Sequence, residues 1–105
     1  YGEDVNSDIN SLNEDFIITY VGLNATTDTI SIWMYNNGQM DTEIKQILIW
    51  TLTNSTATSI NTSLILTEGG VGNITVTQTV DSNETYYVKA VAQYASTYTT
   101  YQKAN

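Results

Sequence analysis

The sequence predicts an all-β domain, an antiparallel sandwich of about seven strands, and three observations support this. Apolar residues recur with a period of two along most of the chain, as expected for half-buried strands. Clusters of Asn, Asp, Ser and Gly separate these segments at spacings of about 8 to 14 residues. No segment shows the apolar stripe of an amphipathic helix. The 105 residues are enough for one domain of ordinary size.

The first three strands are predicted within the first half of the chain. Residues 16–23 form a mostly apolar, β-branched run that ends at the polar cluster 24–28. Residues 29–35 alternate cleanly and end at the turn signal 36–39, which contains Asn-Asn-Gly. Residues 44–52 are apolar at both parities. This pattern is typical of a central strand covered on both faces, or of one whose outer face meets a partner.

Four more strands follow, separated by turn residues, and the first two of them alternate between apolar and polar positions. They are predicted at residues 60–66, 74–80, 86–93 and 97–102. The turns between them are predicted at 68–70, 81–84 and 94–96. Seven short strands in this arrangement are typical of an immunoglobulin-like antiparallel β-sandwich, which we place at residues 16–105.

Residues 1–15 carry five of the eleven carboxylates and are predicted to be an acidic linker. Their alternating oxygen-bearing side chains imitate a calcium-binding loop. The residues concerned are Asp4, Asn6, Asp8, Asn10 and Asp15. Because the sixth position holds Ile9 where such a loop needs glycine, and no helical pattern flanks the run, we expect a solvated linker instead.

The residue types that are missing exclude much chemistry. The chain contains no Cys, His or Arg and only three Lys, with a net charge of −8. Nucleophilic triads, thiolate or imidazole metal sites and nucleic-acid binding therefore lack their usual groups. The carboxylate pairs Glu14/Asp15 and Asp41/Glu43 are expected at exposed edges or turns. We predict a non-enzymatic protein without a cofactor.

Candidate interface residues come from the strand at 44–52 and from the tyrosine-rich C-terminal segment. Ile47 and Ile49 lie at the opposite parity from Leu48 and Trp50, so one of the two faces is available to a partner unless both are buried in the sandwich. The tyrosines suit either packing or an interface. The interface candidates are Ile44, Ile47, Ile49, Tyr86, Tyr98 and Tyr101.

Two further features concern carbohydrate. Trp33 and Trp50 are predicted to pack in the core or across strands, with a sugar-binding platform as the alternative. Five sequons of the form Asn-x-Ser/Thr are potential N-glycosylation sites. Their acceptor residues are Asn24, Asn54, Asn61, Asn73 and Asn83.

Two segments resemble archaeal type IV pilin-like proteins, a group that includes pilins, archaellins and archaellum accessory subunits. One is Ile30–Gly38 (ISIWMYNNG) followed by Ile44–Ile49 (IKQILI), a strand that ends in Asn-x-Gly and leads into an apolar strand. The other is Tyr86–Tyr98 (YYVKAVAQYASTY), which is similar to the last hairpin of that group. Here Tyr94-Ala-Ser96 stands where a glycine is usual.

The resemblance implies an N-terminal hydrophobic helix upstream, to which residues 1–15 would connect the sandwich. Within the group the chain is most similar to the small archaellum stator-type subunits, which lie between the cytoplasmic membrane and the S-layer. This resemblance implies a membrane-anchored extracellular protein that binds the S-layer protein and other archaellum subunits and forms homo-oligomers. The alternatives are the head domain of a pilin or archaellin filament subunit, and an extracellular carbohydrate-binding module.

Overall fold

A computed structural model describes residues 13–105, and within them the fold is all-β. Seven strands alternate with short connections, which confirms the predicted fold class. The strands are β1 (Ile17–Asn24), β2 (Thr29–Tyr35), β3 (Thr42–Thr51), β4 (Thr58–Leu66), β5 (Val71–Thr77), β6 (Thr85–Ala92) and β7 (Thr97–Lys103).

The strands form two antiparallel sheets. Sheet A has the order β1-β2-β5, and sheet B has the order β4-β3-β6-β7. The inward faces of the two sheets enclose one core of mostly aliphatic residues, to which every strand except β5 and β7 contributes a buried side chain. The edge strands of these sheets are β1 and β5 in sheet A, and β4 and β7 in sheet B.

The antiparallel pairing places the connections at two ends of the sandwich. We call one end the base, where residues 13–16 enter and where the connections 36–41, 67–70 and 93–96 lie. The opposite end, here the distal end, holds the connections 25–28, 52–57 and 78–84 and the C-terminal residues 104–105.

Register shifts in β1 and β3 change which residues face the core. In β3 the shift lies between Ile44 and Gln46 in both of its pairings, and it places Ile44 on the same inward face as Ile47. Strict alternation wrongly predicts opposite faces for these two residues. In β1 a shift between Ile18 and Tyr20 likewise leaves Ile18 buried and Tyr20 exposed. Each irregularity inserts a residue that inverts the parity of the strand.

Strand β5 begins three residues earlier than the sequence pattern predicts and ends before Val80. Val71 pairs with Tyr35, so the ladder with β2 starts directly after the glycine pair of the preceding turn. At the other end the backbone N–H of Val80 donates to Asp28 Oδ1 at 3.1 Å. Residues 78–80 therefore belong to a connection that is bonded to the β1–β2 turn, and not to the sheet.

Tyr86 fixes the connection between β5 and β6. Its ring is buried in the core near the start of β6, and its hydroxyl accepts a hydrogen bond from the N–H of Asp81 at 2.8 Å. The same hydroxyl donates to the carbonyl of Thr79 at 3.4 Å. A tyrosine near the start of a strand that bonds to the backbone of the preceding connection is the tyrosine corner of immunoglobulin-like sandwiches.

Candidate interaction surfaces

The isoleucines predicted as interface residues lie in the core. Ile44, Ile47 and Ile49 are at most 1% exposed, because the inward face of the central strand β3 packs against sheet A. The interface prediction for these three residues is corrected accordingly. The outward residues of the same strand, Leu48 and Trp50, are half-buried on the outer face of sheet B.

The three predicted tyrosines occupy different environments. Tyr86 is 2% exposed and belongs to the core, so it is not available to a partner. Tyr98 faces inward and packs half-buried against the core. Tyr101 faces outward and is 68% exposed, which makes it the one member of the predicted interface set that lies on the surface of the described chain.

Tyr101 belongs to an aromatic ladder across the outer face of sheet B. The register places Trp50 beside Tyr87, and Tyr87 beside Tyr101, on three neighbouring strands. The rings of Trp50 and Tyr87 are stacked, with centroids 5.5 Å apart and planes inclined by 7°. Tyr87 and Tyr101 are 5.7 Å apart and tilted by 40°. This ladder explains why β3 is apolar at both parities, since one face meets the core and the other carries the ladder.

The outer face of sheet A is neutral. Its three strands contain no Asp, Glu, Lys or Arg, whereas all three lysines lie in strands of sheet B. On this face Tyr20 pairs with Trp33, and Trp33 pairs with Asn73. Tyr20 is 62% exposed and Trp33 is 40% exposed, so these rings are not part of the core. Of the two predicted packing modes for Trp33, core or cross-strand, the structure therefore has the cross-strand one.

A cleft between β1 and β7 connects the two outer faces. It has a volume of about 120 Å³, and the exposed tyrosines Tyr20 and Tyr101 both line it. The aromatic residues of the two faces therefore approach each other at one open side of the sandwich. Sequence reasoning missed Tyr20, because its parity matches the buried Ile18 and only the register shift turns it outward.

All five sequon asparagines are exposed, so each is accessible to a modifying enzyme. Three lie at or near the distal end, at the end of β1 and in the connections before β4 and β6. The other two lie within strands, Asn61 in β4 and Asn73 in β5. Glycosylation stays a prediction at each site.

A buried carboxylate attaches residues 13–15 to the base. Glu14 is only 5% exposed, and Oε1 accepts hydrogen bonds from the N–H groups of Tyr94 (3.1 Å) and Ser96 (3.2 Å) in the β6–β7 turn. The hydroxyl of Thr42 donates to Oε2 of the same carboxylate. The expectation of an exposed Glu14/Asp15 pair is therefore wrong for Glu14. The predicted calcium pattern begins at Asp4 and, apart from Asp15, falls outside the described residues.

Asn36, the first residue of the Asn-x-Gly motif, is the hub of the base. Its side chain is fully buried, and Nδ2 donates to the carbonyls of Met40 (2.8 Å) and Leu66 (2.9 Å). Its Oδ1 accepts from the N–H of Gly38 at 2.9 Å, and its backbone bonds twice to the β4–β5 turn. The motif therefore joins the end of β2 to the end of β4 and to both adjoining loops.

Gly38 allows the N-terminal segment to approach. A Cβ at this position would lie 2.6 Å from both the carbonyl oxygen of Asn13 and the N–H nitrogen of Asp15. This space permits two backbone hydrogen bonds, from Gly38 N–H to Asp15 and from Gln39 N–H to Asn13, each 3.0 Å long. The base thus clamps the chain where it enters the sandwich.

Residues 13–105 contain no group of three acidic, His or Cys side chains close enough to hold a metal ion. A concavity of about 520 Å³ lies at the distal end, and half of its lining residues are Thr. The carboxylates of Asp81 and Glu84 also line it, and the hydroxyl of Thr53 donates to Glu84 Oε2 at 2.7 Å. Within the same residues, no helix has the length and apolar character needed to cross a membrane.

Solved structures of archaellum proteins share this fold. The archaellum periplasmic stator protein FlaG from Sulfolobus acidocaldarius matches with a TM-score of 0.70 and 17% identity, over 85% of this chain and 99% of that one. A chain of the FlaF–FlaG stator complex from the same organism matches with a TM-score of 0.68 and 16% identity. This match covers 83% of the present chain and 87% of that one. Scans of known protein families and of characterised proteins find no match.

Proposed function

We propose that this protein is a stator-type structural subunit of an archaellum. The observation that carries the proposal is the fold match to FlaG, which covers almost all of that chain. At 17% identity the match establishes the fold, and the role is our inference from it. A non-enzymatic role is consistent with the stator proteins that the chain resembles in fold.

The base supports this proposal mechanically. A static anchor must pass force from its attachment point into a rigid body, and the chain enters here through a segment that is hydrogen-bonded on two sides. Glu14 ties it to the β6–β7 turn, while Gly38 and Gln39 tie it to the β2–β3 connection. Under the proposal, a membrane helix upstream of this segment anchors the sandwich at the cell surface, between the cytoplasmic membrane and the S-layer.

We propose the ladder of Trp50, Tyr87 and Tyr101 as the surface that contacts a second archaellum subunit. Aromatic residues are enriched at protein interfaces, because they bring large apolar area with a polar tip. The occupant is inferred from the FlaF–FlaG complex, in which two stator proteins of this kind associate. Binding to the S-layer protein and homo-oligomer formation belong to the same proposal.

Co-sedimentation tests the proposal, with the protein spun alone, with isolated S-layer and with purified archaellum subunits. Tyr101→Lys and Tyr20→Lys form a matched pair, because the two side chains are 68% and 62% exposed. We expect Tyr101→Lys to reduce co-sedimentation at least about tenfold, as for loss of an aromatic anchor, and Tyr20→Lys to leave it unchanged. A domain that binds neither partner contradicts the stator proposal and favours a filament head or a carbohydrate-binding module.

A further inference from the structure

The four edge strands of the described sandwich differ in how they are protected. A free strand edge offers unpaired N–H and C=O groups to other chains, and proteins guard such edges with charges, proline or irregular register. Register shifts interrupt the pairing of β1 and β4, and β7 carries Lys103. Strand β5 pairs with β2 without any shift and contains no charged residue or proline.

The unguarded strand β5 carries a sequon near its middle. Asn73 and Thr75, its acceptor and hydroxyl residues, are both exposed and point to the outer face of sheet A. The register places Asn73 directly beside Trp33, and Trp33 directly beside Tyr20. A substituent on Asn73 therefore has an aromatic row in front of it, with strands spaced about 4.8 Å apart.

Coverage of this aromatic row by a sugar ring is more favourable than its exposure to water. The C–H groups of a pyranose are polarised by neighbouring oxygens and are attracted to the negative face of an aromatic ring. The surrounding face is uncharged and rich in hydroxyl groups, with Ser31 Oγ and Thr75 Oγ1 3.3 Å apart beside the aromatic pair. A glycan on Asn73 would cover exposed apolar surface and hydrate the free edge in one step.

We propose that Asn73 carries an N-linked oligosaccharide that lies across Trp33 and Tyr20 and masks the edge of β5. In the modification, Asn73 Nδ2 forms a bond to C1 of the first sugar. The bond between that C1 and the phosphate oxygen of a lipid-linked oligosaccharide breaks, the lipid phosphate leaves, and one amide proton is lost. A membrane oligosaccharyltransferase catalyses the transfer. The proposal does not depend on the archaellum role.

Asn61 provides the internal comparison. It is also exposed on an edge strand and also begins a sequon, but it lies beside Gln46, which in turn pairs with Val91. A glycan at Asn61 therefore has no aromatic row on which to lie. Removing its sequon with Ser63→Ala is the matched control for removing that of Asn73 with Thr75→Ala.

Occupancy is measured on the protein purified from its own cells. Cleavage after Glu68 and before Asp81 releases residues 69–80, which contain Asn73 as their single sequon. We expect this peptide to carry the mass of an oligosaccharide, and the Thr75→Ala peptide to lack it. An unmodified peptide in the native protein overturns the proposal. If the unmodified protein also self-associates and Thr75→Lys abolishes this association, β5 instead pairs with a second copy.

The position of the glycan is measured by acrylamide quenching of Trp33. The chain has two tryptophans, so a Trp50→Phe background leaves Trp33 as the single emitter. Because Trp33 is 40% exposed without a glycan, we expect coverage to lower its quenching constant to about half. Thr75→Ala restores the higher value, and Ser63→Ala does not. A quenching constant that is unchanged by Thr75→Ala contradicts the packing of the glycan on the aromatic row.

Discussion

The two ends of the sandwich are held together in different ways. At the base, the buried side chain of Asn36 bonds to two backbone segments, and that of Glu14 bonds to two amides of the β6–β7 turn and to the hydroxyl of Thr42. At the distal end, the side chains of Tyr86 and Asp28 bond to one backbone segment, the connection 78–84. A further distal contact, from the hydroxyl of Thr53 to Glu84, is exposed to solvent.

This difference indicates where the domain resists opening. A hydrogen bond withdrawn from water is costly to break without replacement, while water competes for an exposed one. The base is also the end at which the chain enters, so force applied through the upstream segment reaches the most strongly bonded region first. We therefore expect substitutions at the base to cost more stability than comparable substitutions at the distal end.

The largest effect is expected for Asn36→Ala. The substitution leaves the carbonyls of Met40 and Leu66 and the N–H of Gly38 without this partner. The N–H of Gly38 keeps its bond to Asp15, whereas each of the two carbonyls loses a donor at a cost of about 1–3 kcal/mol, so we expect the free energy of unfolding to fall by about 4 kcal/mol. Urea denaturation measures the change. The exposed neighbour Asn37→Ala is the control, and an equal loss there would show that Asn36 is not the hub.

Gly38→Ala is expected to release the N-terminal segment. The added Cβ collides with backbone atoms of Asn13 and Asp15, which cannot yield by rotating a side chain. We expect a loss of about 2–3 kcal/mol, in the range of overpacked sites, with faster hydrogen exchange at the amides of Gly38 and Gln39.

Gly22→Ala is the control for this substitution. Its new Cβ would meet only the flexible side chain of Tyr20, so we expect little change in stability. Unaltered exchange at Gly38 and Gln39 in Gly38→Ala would contradict the clamp described for the base.

Glu14→Gln tests the carboxylate itself at constant size. The amide keeps one neutral acceptor oxygen for the N–H groups of Tyr94 and Ser96, and its NH₂ group faces the hydroxyl of Thr42, which must turn from donor to acceptor. We expect a loss of about 2 kcal/mol, as for hydrogen bonds to a charged group. Thermal denaturation measures this loss, with Asp15→Asn at an exposed carboxylate as the control. Equal melting temperatures for the two variants would contradict the role of Glu14 in this network.

The general architecture is predictable from the sequence, because alternation and turn residues are local signals. The period of two and the clusters of Asn, Gly and Asp predict all seven strands, with β3, β4 and β5 displaced by two or three residues at their starts. The exposed sequon asparagines are equally local features. Ala95 even adopts a positive φ of 74° in the turn where a glycine is usual, so the turn forms without it.

The surface residues are harder to predict, because they depend on register. One inserted residue in β3 moves Ile44 inward, and one in β1 moves Tyr20 outward, and neither insertion has a compositional signal. The burial of Glu14 is equally hard to predict, because Glu14 stands at the end of an acidic run and such runs are typical of a solvated linker. Its burial follows from donors 80 or more residues away in the chain.

The smallest effect is expected for Tyr86→Phe at the distal end. The ring stays in the core, and the lost hydroxyl releases the N–H of Asp81 and the carbonyl of Thr79, both of which lie in an exposed connection where water can replace it. We expect a loss of about 1 kcal/mol, measured by urea denaturation beside Tyr101→Phe, which should be neutral. Tyr86→Phe and Asn36→Ala each remove side-chain hydrogen bonds to backbone groups. The ratio of their losses in free energy of unfolding therefore compares the two ends directly. If Tyr86→Phe destabilised the domain as much as Asn36→Ala, the tyrosine corner and not the base would be the main fastening of the sandwich.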